Sequence, residues 1–362
     1  MRESSGVRHT RILAVVRSRG EVRLSELAEE MEVSVITIRR DVEALAREGK
    51  LRRGHGVIRP VVPAQRAEAA HEPPGGTVAI VVPERHAYLY ETMNGAREVL
   101  EAAGLRVALH IAPQAPGTER PLVERALADG AKGLLIAPQW RSAAAEQGDD
   151  GWLSAVATTV PVVLMERRPQ AGSALHAVDS ICSDHWYGMH LAVDHLAGLG
   201  HRRILLASRD DSPTARALRV AFAGIAAARG DIEDWDVVRS APDATPDGLS
   251  GPPVDLAARL RDRGATAAVL HGDVDALVLV QQLADAGLKV PQDCSVVAYD
   301  DVVAALGSTP LTAVAPPKAE VGRAAAELLL RRFTHGQAPG VARGYRVELL
   351  PELKVRGSAQ PL

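Results

Sequence analysis

Residues 77–100 open with Thr77-Val-Ala-Ile-Val-Val-Pro83 and continue through Tyr88-Leu-Tyr-Glu-Thr-Met-Asn-Gly-Ala-Arg-Glu-Val-Leu100. The uninterrupted apolar run Val78–Val82 is typical of a strand that is buried on both faces. The sequence after this run places apolar residues at helical spacing, namely Leu89, Met93, Ala96 and Leu100. A buried strand followed by an amphipathic helix is the repeating unit of α/β folds, so this stretch predicts a parallel sheet covered by helices.

The same unit recurs along the chain. Further apolar runs of strand length are Leu134–Ala137, Val160–Met165, Ile204–Ala207, Ala267–Leu270 and Ser295–Tyr299. Amphipathic stretches separate these runs, and one of them carries Met189, Ala192, Val193 and Leu196 on a single face. About 285 residues of this pattern exceed what one sheet and its helices usually hold, so we predict two α/β lobes from Thr77 onward.

A different pattern precedes Thr77, because His9–Ile58 consists of short helical stretches followed by two short strands. Ser34 can cap a helix that runs to Glu48, and this helix would bury Val35, Ile38, Val42 and Leu45. Its opposite face would expose Ile36, Thr37, Arg40 and Arg47, with Arg39 on the flank. Arginine can bond guanine and a methyl-bearing side chain can contact thymine, so this face is typical of a helix that enters the major groove of DNA.

A basic turn follows this helix. The stretch Lys50-Leu-Arg-Arg-Gly-His-Gly-Val-Ile58 predicts a wing of two short strands whose cations contact DNA phosphates. Residues 1–60 hold 13 Lys and Arg against 9 Asp and Glu, although the whole chain has a net charge of −3. A basic head on an acidic body is typical of a nucleic-acid reader joined to another module. The predicted DNA-contacting residues are Ser34, Ile36, Thr37, Arg39, Arg40, Arg47, Lys50, Arg52, Arg53 and His55.

A stretch rich in proline and glycine separates the helical pattern of the head from the α/β pattern that begins at Thr77. Arg59-Pro-Val-Val-Pro63 and Pro73-Pro-Gly-Gly76 break regular structure and mark a linker. We therefore expect a DNA-binding head at residues 1–59, a linker at 60–76 and a two-lobed sensor body at 77–362.

Composition and motifs narrow the function classes. Cys182 and Cys294 are too few for a disulfide framework and lack the spacing of a zinc site. No apolar run is long enough to span a membrane and the N-terminus has no apolar signal region, so we expect a cytoplasmic protein without membrane contact. His185, His190 and His195 recur every five residues, which does not align them on a helix, so we expect no metal. No nucleophile elbow, phosphate loop or dinucleotide motif occurs, so we expect no cofactor and no enzyme activity.

The head resembles the DNA-binding head of the DeoR family over about 50 residues. The matching residues are Leu24-Ser-Glu-Leu-Ala28, Val33-Ser34, Thr37-Ile-Arg-Arg-Asp41, Leu45, Gly49, Leu51, Arg53, His55 and Gly56. The resemblance implies a winged helix-turn-helix in which the Thr-Ile-Arg-Arg helix reads DNA. A small helical dimerisation domain with a basic face is the structural alternative.

The body resembles the ligand-binding body of the LacI/GalR family from about Thr77 to Gly357. The matching strings include Thr77–Pro83, Pro161–Arg167, Leu199-Gly-His-Arg-Arg-Ile204, Ser295-Val-Val-Ala-Tyr-Asp-Asp301, Pro310-Leu-Thr312 and Val355-Arg-Gly-Ser358. The resemblance implies a periplasmic-binding-protein fold of two Rossmann-like lobes joined by three crossovers, with a ligand in the cleft between them.

Polar residues follow the predicted strands at their carboxyl ends, where open α/β sheets bind ligands. They are Pro83–His86, Pro138–Trp140, Glu166-Arg167, Gly272-Asp273 and Asp300-Asp301. Carboxylates, an arginine and an aromatic ring suit a neutral polyol, because the polar groups can bond hydroxyls and a ring can stack on a C–H face. The resemblance assigns Glu166, Arg219 and Asp300 to the hydroxyls of a sugar. The full set of expected ligand contacts is Tyr88, Trp140, Glu166, Arg219, Asp273 and Asp300.

Several of these residues have a purely structural alternative. Asp300 could cap a turn, Arg219 could pair with a surface acid, and Trp140 could fill a loop. Tyr88 could belong to the core. Gly272 also stands where the sugar-binding members often have Asn, which leaves the identity of the ligand open.

These features favour a ligand-responsive transcriptional regulator, with repression the expected direction. Its partners would be operator DNA, a sugar-like effector and a second copy of the chain. The linker predicts no hinge helix that wedges leucine into the minor groove, because only Ala64–His71 could form a short turn. The alternatives are a sugar-binding protein of transport type and a sugar-acting enzyme with an accessory DNA-binding head.

Overall fold

The computed structural model describes residues 8, 9, 12, 15, 16, 22–31, 33–47, 51–54, 57–60, 75–84, 87–240, 255–334 and 344–362. The chain divides into two compact units, Met1–His71 and Glu72–Leu362, which are called the head and the body below. The predicted linker lies mainly outside the described residues. Its exact bounds, 60–76, and the absence of a hinge helix therefore remain predictions.

The described part of the head has two helices with defined bounds, further helical residues at 8, 9, 12, 15 and 16, and a small antiparallel sheet. Its elements are β1 (Val22–Arg23), α1 (Leu24–Glu30), α2 (Val35–Arg47), β2 (Leu51–Gly54) and β3 (Val57–Pro60). The sheet order is β1-β3-β2, and β2 pairs with β3 from Leu51↔Pro60 to Gly54↔Val57. The predicted wing is therefore an antiparallel strand pair. Apolar side chains of β1, α1, α2 and β3 form one core, which includes Leu27, Ile38, Val42, Leu45 and Ile58.

The start of α2 is fixed by Ser34, as the sequence predicts. The Ser34 hydroxyl accepts a hydrogen bond from the backbone N–H of Thr37 at 3.2 Å, which satisfies one unpaired donor of the first turn. The prediction that Val35 belongs to the core is wrong, because this residue is 42% exposed. It is the first residue of α2, at the end of the helix, and the core contacts begin one turn later at Ile38.

The first lobe of the body, lobe 1, is a doubly wound α/β layer structure. Its strands are β4 (Thr77–Pro83), β5 (Arg106–Ala112), β6 (Ala131–Ile136), β7 (Val162–Met165), β8 (Asp179–Ser183) and β14 (Arg346–Leu349). Its helices are α3 (Ala87–Ala102), α4 (Glu119–Ala128), α5 (Ala143–Ala157) and α10 (Lys318–Thr334). The strand order is β14-β8-β7-β6-β4-β5, and every neighbouring pair is parallel. Two buried clusters cover the two faces of this sheet.

The second lobe, lobe 2, repeats the arrangement. Its strands are β9 (Arg203–Ser208), β10 (Asp234–Arg239), β11 (Ala267–His271), β12 (Ser295–Tyr299), β13 (Thr312–Ala315) and β15 (Glu352–Lys354). Its helices are α6 (His185–Gly198), α7 (Pro213–Ala228), α8 (Leu256–Arg263) and α9 (Asp273–Asp285). The strand order is β10-β9-β11-β12-β13-β15, and only β15 runs antiparallel to its neighbour. The predicted pair of α/β lobes is confirmed.

The chain passes between the lobes three times. It leaves lobe 1 after β8, because α6 packs in a core of lobe 2 through Met189, Val193 and Leu196. It returns after β13, because α10 packs in a core of lobe 1. It crosses again between β14 and β15, which belong to different sheets. Three crossings therefore connect the two lobes on one side of the space between them.

The return helix α10 packs closely against α3 because two glycines remove the side chains between them. A β-carbon added to Gly322 would lie 1.8 Å from the carbonyl oxygen of Thr92, and one added to Gly95 would lie 2.2 Å from that of Ala319. Both obstacles are backbone atoms, which cannot rotate away. These glycines therefore set the distance between the two helix axes.

A methyl group at Gly322 should destabilise the body. We expect Gly322→Ala to lower the thermal midpoint by several degrees, because overpacking of this kind costs about 1–3 kcal/mol or more. Gly148→Ala is the matched control, since that glycine is exposed on α5 with nothing near its added β-carbon. The control should leave the midpoint unchanged or slightly raised. Equal midpoints for Gly322→Ala and the natural protein would contradict the close helix contact.

Candidate functional site

A cleft of about 440 Å³ lies between the two lobes at the carboxyl ends of their strands. Lobe 1 contributes Tyr88, Gln114, Gln139, Arg141 and Glu166 to its lining, among other residues. Lobe 2 contributes Arg209, Asp211, His271, Asp273, Asp275 and Asp300, among others. In each sheet the strand order reverses beside its first strand, β4 in lobe 1 and β9 in lobe 2, and loops from these switch points reach the cleft. Doubly wound sheets bind ligands at such positions.

Backbone strain is concentrated at this edge of both sheets. Among the described residues other than glycine, positive φ angles occur at Trp140 (37°), Glu166 (53°), Asp300 (101°) and Asp301 (51°). All four follow directly or closely after β6, β7 or β12. Such conformations cost about 1–3 kcal/mol each and cluster at ligand sites, so their shared position is an independent indication that the cleft is the functional site.

The wall formed by lobe 1 is centred on Glu166, which is 3% exposed. Its carboxylate accepts hydrogen bonds from the Tyr88 hydroxyl at 2.7 Å, the Ser183 hydroxyl at 2.9 Å and the Ser183 backbone N–H at 3.1 Å. Next to it, the Arg167 guanidinium donates to the carbonyl oxygens of Pro138 and Glu166. Burial lowers the pKa of Arg167 to about 10. These two charged residues are held by the protein itself and form a rigid polar floor.

Two of the four carboxylates in the wall formed by lobe 2, those of Asp273 and Asp300, have contrasting surroundings. The Asp273 carboxylate accepts hydrogen bonds from the backbone N–H groups of Val302, Val303 and Ala304, which fixes the loop after β12. The Asp300 carboxylate accepts no hydrogen bond from any residue that the structure describes. Burial, and then the negative charge of Asp273, raise the pKa of Asp300 to about 7. Asp300 is thus an acidic group of this wall that is left for a ligand.

Several contacts join the two lobes, and one of them is an ion pair at 4.0 Å between Arg216 of lobe 2 and Glu146 of lobe 1. The Arg141 guanidinium of lobe 1 lies 3.1 Å from the Asp211 carboxylate of lobe 2, which Arg209 also binds through two nitrogens at 3.0 and 2.9 Å. Beside this ion pair, the Arg216 guanidinium of α7 donates to the carbonyl oxygen of Trp140 at 2.9 Å. Relative motion of the lobes must break or make these contacts.

A chain of polar side chains lies at the inner end of the cleft. The Ser208 hydroxyl is 3.2 Å from Nδ1 of His271, whose ring stands edge-on to Tyr299, and the Tyr299 hydroxyl is 3.3 Å from Nδ1 of His185. Burial lowers the pKa of His271 to about 3 and also lowers the pKa of His185. Both rings are therefore neutral at physiological pH. A neutral imidazole offers the ligand one donor or acceptor and no charge.

The structure brings four of the six expected ligand contacts into the cleft: Tyr88, Glu166, Asp273 and Asp300. Trp140 does not line the cleft, because its ring is 1% exposed in a lobe 1 core and its Nε1 donates to Asp149 at 3.0 Å. Arg219 does not line it either, and its guanidinium lies 3.4 Å from the carbonyl oxygen of Ser208. Trp140 contributes only its backbone here, because its carbonyl oxygen accepts the hydrogen bond from Arg216.

Sequence reasoning missed several cleft residues: Gln114, Arg141, Arg209, Asp211, Ser212, Thr214, His271 and Asp275. Most of them follow the carboxyl ends of β5, β6, β9 or β11, the same signal that identified Asp300. From the segment after β9, the sequence predicted only Arg219 of α7 as a ligand contact. Arg209, Asp211 and Ser212 lie between β9 and α7. The rule that cleft residues follow the predicted strands would have identified these residues. It would not have predicted that Arg141 of lobe 1 pairs with Asp211 of lobe 2.

The exposed face of α2 carries most of the described residues that were expected to contact DNA. Ile36 is 80% exposed, and Ser34, Arg39 and Arg40 are also exposed. Thr37 is partly buried, and its hydroxyl is 2.8 Å from that of Ser34. Arg39 and Arg40 form no ion pair with the other described residues, so their guanidinium groups are available. Lys50 and His55, and the side chains of Arg47, Arg52 and Arg53, lie outside the described part of the chain.

His185, His190 and His195 lie in three different environments and do not contact one another. His185 contacts Tyr299, His190 lies beside Tyr187, and Nε2 of His195 is buried without a partner. Within the described ranges, no three His, Cys, Asp or Glu side chains form a group that could hold a metal ion. None of the helices described there has the length and apolarity needed to cross a membrane.

Two family models match the chain. Residues 8–61 match the DeoR-like helix-turn-helix domain, and residues 193–359 match the periplasmic binding protein-like domain. The first match contains β1, α1, α2 and the wing, and the second contains most of lobe 2 together with α10 and β14.

Sequence relatives are regulators of transcription. The HTH-type transcriptional repressor PurR of Haemophilus influenzae is 31% identical over 211 residues, which cover 57% of this chain and 59% of that relative. The chain thus spans about three fifths of the length of this relative. The arabinose metabolism transcriptional repressor of Geobacillus stearothermophilus is 27% identical over 352 residues, which cover 93% of this chain and 90% of the relative.

Solved structures share the fold of the body. A LacI family transcriptional regulator from Enterococcus faecium with bound ribose superposes with a TM-score of 0.59 at 23% sequence identity. The superposition covers 79% of this chain and 99% of that structure. The predicted fold, a periplasmic-binding-protein-like body of LacI type, is therefore confirmed.

The raised pKa of Asp300 predicts that the effect of this residue on the free energy of unfolding depends on pH. Because the folded protein disfavours the ionised carboxylate, Asp300 destabilises the fold as the pH rises from its ordinary pKa toward about 7. We expect Asp300→Asn to raise the thermal midpoint of the ligand-free protein by a few degrees in mildly alkaline buffer. Below the ordinary pKa of aspartate the gain should vanish, since the natural carboxyl is then protonated in both the folded and the unfolded state. A midpoint difference that is the same at both pH values would show that Asp300 titrates normally.

Proposed function

We propose that this chain, which joins a DeoR-like helix-turn-helix domain to a periplasmic-binding-protein-like body with a LacI-like fold, is a transcriptional repressor controlled by a sugar or related polyol. The head would bind operator DNA and the cleft would bind the effector. The observation that carries this proposal is the cleft itself, where polar side chains of both lobes converge in a volume of about 440 Å³.

The chemistry of the cleft suits a ligand rich in hydroxyl groups. The lining offers carboxylates, two glutamine amides and three hydroxyl side chains, together with apolar contacts from Pro83, Leu89 and Val302. Each hydroxyl of a polyol can donate to a carboxylate and accept from an amide or guanidinium, while apolar side chains contact its C–H groups. The ribose bound to the structurally similar regulator from Enterococcus faecium supports this ligand class.

The head supports the DNA half of the proposal. The exposed face of α2 presents Ile36, Arg39 and Arg40, and Ser34 and Thr37 lie at the N-terminus of the helix. This combination can contact base edges through Arg and Ile and phosphate through the hydroxyls and helix N-terminus. The match to a DeoR-like helix-turn-helix domain supports the same role.

Control by the effector requires two arrangements of the lobes with different ligand affinities. The Arg141–Asp211 ion pair and the Arg216–Trp140 hydrogen bond are the described contacts that such a motion would change. We propose that the protein acts as a homodimer, so that a change in the bodies alters the separation of two heads. Two half-sites would then lie on one face of the duplex, roughly 10 base pairs or a multiple apart.

A binding role without turnover is part of the proposal, as is a cytoplasmic location. The named relatives are repressors of transcription and not enzymes. DNA that must be contacted by the head lies in the same compartment as the protein, which favours the cytoplasm over export.

The test is to screen the full-length protein by thermal shift against sugars, polyols and nucleosides. A true effector at about 100 times its Kd should stabilise the body by roughly 2.7 kcal/mol, enough to raise the midpoint by a few degrees. Each hit is then added to an anisotropy assay with operator DNA selected by the protein from a random library. We expect the hit to change the DNA affinity. A hit that is chemically converted, or one that leaves DNA binding unchanged, would contradict the regulator.

Arg40 should be important for DNA binding and not for folding. We expect Arg40→Ala to weaken operator binding by roughly 10- to 100-fold, as the loss of one base or phosphate contact does. Arg120→Ala is the matched control, because Arg120 is an exposed arginine of α4 in the body. Both variants should melt like the natural protein. If the two variants bind operator equally well, α2 is not the DNA-contacting helix.

A further inference from the structure

The charges of the cleft indicate which polyols it can accept. Three arginines line it, Arg141, Arg167 and Arg209, and five acidic residues do, Glu166, Asp211, Asp273, Asp275 and Asp300. Lys318 lies near Asp300 and partly offsets its charge, but the ammonium group of Lys318 lies over the Tyr88 ring at 5.5 Å from its centre. The lining is therefore acidic even though it contains several cations.

The arginines are already occupied by the protein. Arg167 gives its donors to the carbonyl oxygens of Pro138 and Glu166. Arg209 binds Asp211 through two nitrogens, and Arg141 binds the same carboxylate. A phosphate group bound by either arginine would therefore lie beside the carboxylate of Asp211, which repels it. The N-terminus of α9 is also unsuitable for an anion, because Asp273 and Asp275 occupy its first turn.

The acidic side chains of the cleft differ in how many hydrogen bonds they accept from the protein. Glu166, Asp211 and Asp273 each accept at least two hydrogen bonds from protein groups. In contrast, Asp300 accepts none from the described residues. Oδ2 of Asp275 is buried without a hydrogen bond and has only a long ion pair with Arg209 at 3.6 Å. Asp300 therefore has no donor among the described residues, Asp275 has only the long contact with Arg209, and both line the same cleft.

A ligand that completes this site must supply donors and positive charge. Asp300 lies among the negative charges of Asp273 and Glu166, and a neutral hydroxyl would satisfy its hydrogen bonding but not this excess charge. A protonated amine supplies three donors and one positive charge in a compact group, and its hydrogen bonds to a carboxylate are charge-assisted.

We propose that the effector is an unphosphorylated amino sugar or amino polyol whose ammonium group binds Asp300, with Asp275 as the second acidic contact. This assignment rests on the proposed function and specifies its ligand class. The hydroxyl groups of the ligand contact the remaining polar side chains, and the phosphorylated forms of the same sugars are rejected by the acidic lining.

Matched ligands test the assignment by calorimetry on the full-length protein at neutral pH. The probes are glucose, galactose and mannose, each as the free sugar, the 2-amino sugar, its N-acetyl derivative and the 6-phosphate. We expect at least one amino sugar to bind ten-fold or more tightly than its three counterparts, since the N-acetyl form keeps the nitrogen but loses the charge. A free sugar, an N-acetyl sugar or a phosphate that binds as tightly as the amino sugar would overturn the assignment. So would the absence of binding by all the amino sugars.

A variant pair locates the ammonium group. Asp300→Asn removes one charge at nearly constant volume and should weaken the amino sugar at least ten-fold. Asp262→Asn is the control, because this exposed carboxylate lies on α8 of the same lobe, away from the cleft lining. If Asp300→Asn does not fold, Asp275→Asn replaces it and should give a smaller loss of the same kind. Equal affinities for the Asp300 and Asp262 variants would overturn the role of Asp300.

The same ligands separate the two levels of the proposal. A neutral sugar that binds and changes operator affinity would overturn the amine and leave the repressor standing. An amino sugar that binds the cleft but leaves operator affinity unchanged would support the ligand class and contradict the repressor.

Discussion

The cleft depends on the return of the chain from lobe 2 to lobe 1, and this return is held by the contact of α10 with α3. At Gly95 and Gly322 the backbones of the two helices approach so closely that no side chain fits between them. The contact anchors α10 in a core of lobe 1, directly after the strand β13 that completes the parallel part of the lobe 2 sheet. It also sets Lys318, the first residue of α10, over the ring of Tyr88 at the cleft.

Two parallel sheets that face each other at their carboxyl ends bring many polar groups together, and most of these groups satisfy one another. Glu166 is held by Tyr88 and Ser183, and Asp273 is held by the loop after β12. The backbone takes positive φ angles at four residues along this edge to allow these contacts. The carboxylate of Asp300, which accepts no hydrogen bond from the described residues, is therefore the main exception in a site whose other polar groups are mostly paired. Such an exception has physical meaning, because a partly buried carboxylate without hydrogen bonds costs free energy that a ligand can recover.

The fold and the edge that carries the site could be predicted from apolar runs and from the residues that follow them. Ser34 as a helix cap and the interior face of α2 followed from spacing alone, except that Val35, at the helix end, is exposed. Predictions for single side chains were less secure. Trp140 comes after β6 as expected, but its ring turns into the core toward Asp149, and Arg219 stops short of the cleft. The Arg141–Asp211 pair joins residues 70 positions apart in different lobes, and no local pattern encodes such a partner.

The central claim is that the cleft and the DNA-binding head are energetically coupled. The most direct test is to measure the Kd of the effector by calorimetry for the free protein and for the protein saturated with operator DNA. Coupling is reciprocal, so the effector Kd should change by the same factor as the operator Kd changes when effector is added, typically about 5- to 150-fold. An effector Kd that is the same with and without operator DNA would contradict the account, even if both ligands bind tightly.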